Sequence, residues 1–367
     1  FQAPPDPGWL PLSLPDYQPA VRPHLREPFE KLCHQDLDPV RGLTVVEIMN
    51  AIHAGEITGM YIEGENPAMS DPDLQHARQA LAKLDHLVAT GITALELMPL
   101  VDFAGQRNWG YDGVLWYAPD SAYGRPDDLK ALIDEAHLRG LLVLLDVVYN
   151  HFGPEGNYLG RYAPAFFINA QTPWGSAIDY RVREVRAFAI ENALYWLDEY
   201  GFDGLRLDAV HAIGEPGEIS MLQELSDAAG ELASATGRHI HLVLENDDNA
   251  ASLLDAGEGP PRGKYRAQWN DDYHHAWRVL MTGEKQGYYG DYQRAPLDDI
   301  ARSLSSGFIY QGEMSAFRGG ARGEPSGNLA PTAFINFLQN HDQIGNRALG
   351  DRLESVARTE AIEAALA

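Results

Sequence analysis

From Ile92 onward the chain alternates between short apolar runs and longer stretches in which apolar residues recur every three or four positions. The runs are "ITALELMPL", "LLVLLDVVYN", "GLRLDAV", "HIHLVLEN", a weaker "YRAQWN" and "AFINFLQNHD". Near-continuous apolar runs are expected of parallel strands covered on both faces. The stretches with helical spacing include Pro126 to Arg139, Val182 to Tyr200, Ile219 to Ala235 and Leu297 to Leu304. Strand and helix in steady alternation predict right-handed βα units around a parallel sheet, an α/β fold of the barrel type. Upstream, "LTVVEIMNAIHAG" predicts a short helix ending near Gly55, and "ITGMYIEGENP" a strand and turn. Asp71 and Pro72 open a further helix, with Leu74, Ala77, Leu81, Leu84 and Val88 on one stripe and Gly91 at its end. Residues 1–42 are proline-rich without a sustained period and read as an extended arm.

Several of the predicted strands finish in polar residues: Asp146 and Asn150, Asp208, Glu245 with Asn246, and His341 with Asp342. In (β/α) barrels the carboxyl ends of the strands converge on one mouth, where the chemistry is done. Arg206 and Asp208 share a strand face, being two residues apart. A carboxylate pointing inward there is costly unless it has partners or a task. Asp208, Glu245 and Asp342 stand at the ends of three different strands. Three carboxylates on one cavity suit glycoside hydrolysis, with one attacking the anomeric carbon, one protonating the leaving oxygen and a third bracing the distorted sugar. Arg206 would hold Asp208 ionised, while Glu245 needs a raised pKa, which a partly desolvated pocket supplies. The alternative is that these acids cap helices or form ion pairs at a loop-rich rim.

Composition narrows the partners. The 367 residues are 45% hydrophobic and 22% charged, with a formal charge of -25. That charge argues against nucleic acid and anionic membranes, although a solvated acidic surface alone accounts for it. The single cysteine, Cys33, can form no internal disulfide and no cysteine metal cluster. A reducing compartment is therefore allowed, and a cytoplasmic location is expected. No basic start with an apolar run predicts secretion, and no run of 18 apolar residues predicts a membrane span.

In order along the chain, "DVVYNH" (Asp146 to His151), "GLRLDAVHA" (Gly204 to Ala212), "LVLEND" (Leu242 to Asp247) and "FLQNHDQ" (Phe337 to Gln343) resemble the four signature regions of the α-amylase family of glycoside hydrolases. The words "NWGYDGVLWYAPDSAYG", "ENDDN" and "QWNDDYHHAW" narrow the resemblance to the malto-oligosyltrehalose trehalohydrolases. The resemblance covers about Lys83 to Arg352. It implies retaining cleavage of the α-1,4 bond next to the trehalose end of maltooligosyl trehalose, with no metal and no organic cofactor. A related α-glucan hydrolase, a branching enzyme or a catalytically impaired sugar-binding fragment is the alternative.

Carried over by motif, the resemblance implies Asp208 as nucleophile, Glu245 as general acid and base, and Asp342 as transition-state stabiliser. Arg206 would position the nucleophile, His151 and His341 would bond hydroxyls of the reacting glucose, and Tyr111 would stack on its apolar face. Asp112 and Asn150 read as supports of the mouth. His211, Trp269, Asp271, Asp272, His274 and His275 are weaker candidates for neighbouring sugar sites. A metal at "NDDYHH" is disfavoured, since the adjacent histidines lack ligand spacing.

The resemblance does not extend over the whole chain. Residues 43–88 are similar instead to a segment of the large subunit of molybdopterin-dependent formate dehydrogenases, which implies a join at Lys83 to Val88. The cysteines that would serve that chemistry are absent from the sequence, so no pterin is expected. The resulting expectation is an incomplete (β/α)8 TIM barrel over 89–367, lacking a C-terminal strand, with a non-native βα segment over 43–88 standing in for its first unit.

Overall fold

A computed structural model describes residues 84–172, 174–213, 221–255 and 263–366, together with the backbone at 13–14 and 18–19. The expected helix and strand between 43 and 67, and the helix from Asp71 up to residue 83, lie outside the described residues. So does the proline-rich arm, apart from an antiparallel pairing of Ser13–Leu14 with Gln18–Pro19.

Six parallel strands form the central sheet: β1 (Ala94–Leu97), β2 (Leu142–Val147), β3 (Gly204–Leu207), β4 (His241–Leu244), β5 (Ala267–Trp269) and β6 (Phe334–Ile335). They are hydrogen-bonded in sequence order, each to the next. All six arise from the six apolar runs. Curled and open, the sheet is part of a (β/α)8 barrel. The inner strands are the most apolar, and β3 is buried at all four positions. Gly204 opens β3 because a Cβ there would meet the His241 carbonyl of β4 at 2.2 Å.

Helices cover the outside: α1 (Leu84–Ala89), α2 (Pro126–Leu138), α3 (Arg183–Asp198), α4 (Met221–Thr236), α5 (Asp271–Thr282) and α6 (Pro296–Ser306). Proline at the first turn of α2 and α6 costs no hydrogen bond, and the acidic pairs that follow, Asp127–Asp128 and Asp298–Asp299, favour the positive end of each helix. The α3 stripe buries Val185, Ala189, Ala193 and Trp196 against the sheet and α4. A fully buried side chain of the size of Val185 contributes about 1.5–3 kcal/mol, and the alanines less.

One expectation needs correcting. The last strand ends at Ile335, and Asn340 starts a short helix, α7 (His341–Gly345), so His341 and Asp342 stand in a first helical turn beyond the strand. Asn340 accepts the Asp342 amide at 3.0 Å, and Gln343 accepts the Asn340 amide at 3.0 Å, a reciprocal cap. The helix α5 was not predicted. Three hairpins interrupt the βα rhythm: Val101–Asp102 with Leu115–Pro119, Phe167–Thr172 with Gly175–Ile178, and Glu313–Ser315 with Gly320–Arg322. Each contributes residues to one cavity.

Candidate active site

The cavity, of about 430 Å³, opens at the carboxyl ends of the strands. Its floor is organised by Arg206, which is wholly buried in β3. Parallel register sets Arg206 opposite Asp146 of β2 and Val243 of β4. Arg206 Nη1 donates to Asp146 Oδ2 at 2.7 Å and to Asp208 Oδ1 at 2.9 Å, while Nη2 lies 3.1 Å from Glu245 Oε2. The Trp269 ring backs the guanidinium at 4.3 Å. One cation thus holds three carboxylates, contributed by the ends of three adjacent strands.

Asp208 extends the β3 ladder, its amide bonding the Val147 carbonyl at 3.0 Å. Both its carboxylate oxygens have donors, Oδ1 from Arg206 and Oδ2 from Asn150 Nδ2 at 2.8 Å. Asn150 also donates to the Asp208 carbonyl at 2.9 Å, fixing the strand end. Glu245 continues β4 through a bond to the Leu207 carbonyl at 3.0 Å. Burial raises its carboxyl from 4.5 to about 8; Arg206 opposes the rise, and Asp208, Asp271 and Asp342 add to it. Asp146 is likewise pushed by burial to about 6 against the pull of Arg206.

A polar chain reaches this floor from the rim. His341 Nε2 lies 2.9 Å from the Tyr111 hydroxyl, which donates to Asp146 Oδ2 at 2.6 Å. The hydroxyl proton is thereby committed to Asp146, so Nε2 carries the imidazole proton. Burial lowers His341 to about 4 and keeps it neutral at physiological pH. The Tyr111 and His341 rings stack at 5.2 Å. Asp342 is half exposed at the cavity, with an oxygen 3.7 Å from His341 Nε2.

The other expected residues separate into those on the cavity and those behind it. His151 lines it, but both ring nitrogens already face protein acceptors, the Tyr111 carbonyl at 2.8 Å and the Asn150 side chain. Asp112 and His211 line it at the rim, where His211 Nδ1 accepts the Asp247 amide at 3.3 Å. Asp271 and His275, one turn apart on α5, both face it. Burial raises Asp271 to about 7, opposed by Arg322.

His274 is a correction to its expected place at a sugar site. It is wholly buried behind the wall, with Nδ1 on the Leu338 carbonyl and Nε2 3.0 Å from the Tyr289 hydroxyl. Adjacent helical residues are about 100° apart, so His275 and His274 cannot both face inward. Asp272 is also buried, and its carboxylate accepts from Asn249, Tyr292, Arg322 and the amides of Ile309 and Tyr310. Trp269 serves beneath Arg206 instead of lining the cavity. Trp109, Trp174, Tyr288, Phe317, Arg318 and Arg322 line the cavity without having been singled out in the sequence. Trp174 stacks on His151 at 5.5 Å. Among the described residues, no group of three or more His, Cys, Asp or Glu side chains is placed to hold a metal ion.

The model of the α-amylase catalytic domain matches residues 78–164. That stretch begins ahead of the expected join at Lys83. A crystal structure from Salmonella typhimurium, of a protein provisionally called an alpha amylase, is 50% identical, with a TM-score of 0.75 over 79% of this chain and 49% of that one. The fold is that of an α-amylase catalytic barrel. Among curated proteins, the malto-oligosyltrehalose trehalohydrolase of Deinococcus radiodurans is 45% identical over 279 residues, 75% of this chain and 45% of its own length. The protein of the same name from Saccharolobus solfataricus is 40% identical over 292 residues, 78% of this chain and 50% of its own. The chain therefore spans about half the length of the curated relatives it matches.

Proposed function

We propose that this chain carries the catalytic barrel of a retaining glycoside hydrolase that cleaves the α-1,4 bond next to the trehalose end of maltooligosyl trehalose and releases trehalose. The observation that carries this reading is the gathering of Asp208 and Glu245 on one guanidinium, with Asp342 on the same cavity. The shared name of the curated relatives supplies the substrate class.

In this mechanism an oxygen of Asp208 attacks the anomeric carbon as Glu245, protonated at neutral pH, gives its proton to the glycosidic oxygen. Trehalose leaves with that proton on its 4-hydroxyl. The Glu245 carboxylate then takes a proton from water, and the hydroxide oxygen displaces Asp208, so two inversions give retention. Asp342 and His341 contact the distorted glucose, and Tyr111 offers its ring face. Asp271 and His275 sit on the α5 side of the cavity, placed to bond hydroxyls of a neighbouring sugar. The partner is a neutral oligosaccharide, and no nucleic acid, membrane or cofactor is called on. The proposed location is the cytoplasm, in keeping with the single cysteine.

The test is product analysis on maltooligosyl trehalose beside plain maltodextrin, for the native chain and for Asp208→Asn. Trehalose release from the first substrate, lost in the variant, is expected. Equal activity of the two proteins would reject the nucleophile, and branched products from maltodextrin would point to a branching enzyme.

A further inference from the structure

The chain turns abruptly after Asp208. Ala209 has φ 40° and ψ 49°, a left-handed backbone that only it and Asn249 adopt among the described non-glycine residues. Alanine gains nothing locally from this conformation, because Cβ crowds the backbone and no side-chain polar group compensates. The turn does redirect two successive amides onto a single residue. Ala209 N donates to Glu245 Oε2 at 2.7 Å, and Val210 N donates to the Glu245 carbonyl at 3.1 Å. Asp208 N, one residue earlier, still belongs to the sheet through Val147. The left-handed residue is thus the point at which the strand carrying Asp208 stops pairing and begins to hold Glu245.

Glu245 Oε2 also forms an ion pair with Arg206 Nη2 at 3.1 Å, so the amide and the guanidinium both face that one oxygen. No described residue donates a hydrogen bond to Oε1. An oxygen that already accepts an amide and lies against a guanidinium is the poorer of the two sites for a proton. We propose that the Ala209 amide is a positioning group for the acid/base carboxyl: it fixes Oε2 as an acceptor and confines the transferable proton to Oε1.

This inference rests on the reading of Glu245 as the acid/base and adds which oxygen does the work. The charged groups facing Glu245 are Arg206 and Asp208 from β3 and its end, Asp271 from α5 and Asp342 from α7. None of them is altered by a change confined to one backbone N–H.

The experiment replaces Ala209 in the full chain by lactic acid, which turns the amide into an ester, deleting the donor and weakening the Asp208 carbonyl that accepts from Asn150. The Glu245 carboxyl is followed by carbon-13 NMR against pH, its resonance assigned by its disappearance in Glu245→Gln. A donor to the ionised form lowers a carboxyl pKa, so its loss should raise Glu245 by about one unit and move the basic limb of the hydrolysis profile equally. An unmoved titration overturns the proposal. Ala209→Gly keeps the amide and relieves the backbone, and its Glu245 should titrate within a few tenths of a unit of the native chain. A glycine variant displaced by a full unit would assign the effect to the methyl group and overturn the proposal even if the ester chain does not fold. Because the titration needs no turnover, a shifted resonance in a chain that releases no trehalose would refute the proposed function and leave this contact standing.

Discussion

Replacing Glu245 by glutamine should stabilise the protein, and increasingly so as the pH rises. In the folded state burial holds the carboxyl at about 8, against 4.5 for the free group. At about 1.4 kcal/mol per unit, that displacement corresponds to roughly 5 kcal/mol. The sign follows from proton binding. The folded state holds this proton more tightly than the unfolded chain, so the group's contribution is fully present below about pH 4.5. It is lost progressively between 4.5 and about 8, where the unfolded chain ionises freely and the folded one resists. Glutamine has no proton to lose, and its carbonyl oxygen can take the place of Oε2 before Ala209 and Arg206. The difference in unfolding free energy, Glu245→Gln minus native, should therefore be near zero at pH 4.5. It should reach about 3 kcal/mol at pH 7 and as much as about 5 kcal/mol above pH 8. Asp146 and Asp271, raised to about 6 and about 7, slope the stability of both proteins in the same direction and largely cancel in the difference. Urea unfolding followed by tryptophan fluorescence at half-unit steps from pH 4.5 to 8.5 measures it. A difference that does not vary with pH would refute the reasoning, because it would mean that the folded carboxyl titrates like the free one.

Three further substitutions probe other parts of the site. Asp208→Asn should lower the rate of trehalose release by at least about a thousandfold at unchanged melting temperature, since it removes the nucleophile and leaves the Asn150 contact to the main chain. Asp272→Asn removes the buried charge shared by Arg322, Tyr292 and two amides, and calorimetry should record a loss of about 3–5 kcal/mol. Tyr111→Phe deletes the 2.6 Å bond to Asp146; unfolding should become easier by about 1–3 kcal/mol, and the imidazole of His341, deprived of its partner, should shift its NMR resonances.

The barrel was readable because its strands are covered on both faces. "LLVLLDVV" leaves five of the six β2 residues buried, and no helical stripe competes with that pattern. The helix α5 was not readable for the opposite reason: beside Tyr273, Ala276 and Val279 it buries Asp272, His274, His275 and Arg278, so polar residues break up the apolar stripe. A cue to α7 was present, since Asn340 with Gln343 three residues on is a capping pair. It was masked by the apolar run before it, which invites a longer strand. Trp174, Phe317 and Arg318 sit at or beside hairpin turns, where a side chain's direction depends on the turn and not on a repeat. Local sequence therefore pointed to residues at strand ends, whereas Trp174, Phe317 and Arg318, carried by hairpin turns, left no such cue.

The proposed acid/base role of Glu245 agrees with the way donors are shared among the carboxyls on Arg206. One guanidinium faces Asp146, Asp208 and Glu245, so the cluster carries more negative charge than its cation can balance in a buried setting. A proton bound to the cluster will settle where ionisation is least supported. Asp208 has a donor on each oxygen, from Arg206 and Asn150. Asp146 receives both Arg206 and the Tyr111 hydroxyl on Oδ2, and its buried Oδ1 has no hydrogen-bond partner. Glu245 has the Ala209 amide and the longest of the three contacts to Arg206, all on one oxygen, with the other oxygen bare of protein donors. Burial is the largest cause of both shifts, to about 6 for Asp146 and about 8 for Glu245; bonds from Arg206 and Tyr111 pull Asp146 back down, while Asp208, Asp271 and Asp342 push Glu245 further up. A carboxyl held protonated beside one held by Arg206 and Asn150 is what the proposed retaining hydrolysis calls for. The device depends on strand register, because Arg206 sits opposite Asp146 and one step below Asp208 only while β2, β3 and β4 keep their alignment. A one-residue slip of β3 would turn Arg206 and Asp208 together to the helix side and leave Asp146 and Glu245 without their cation.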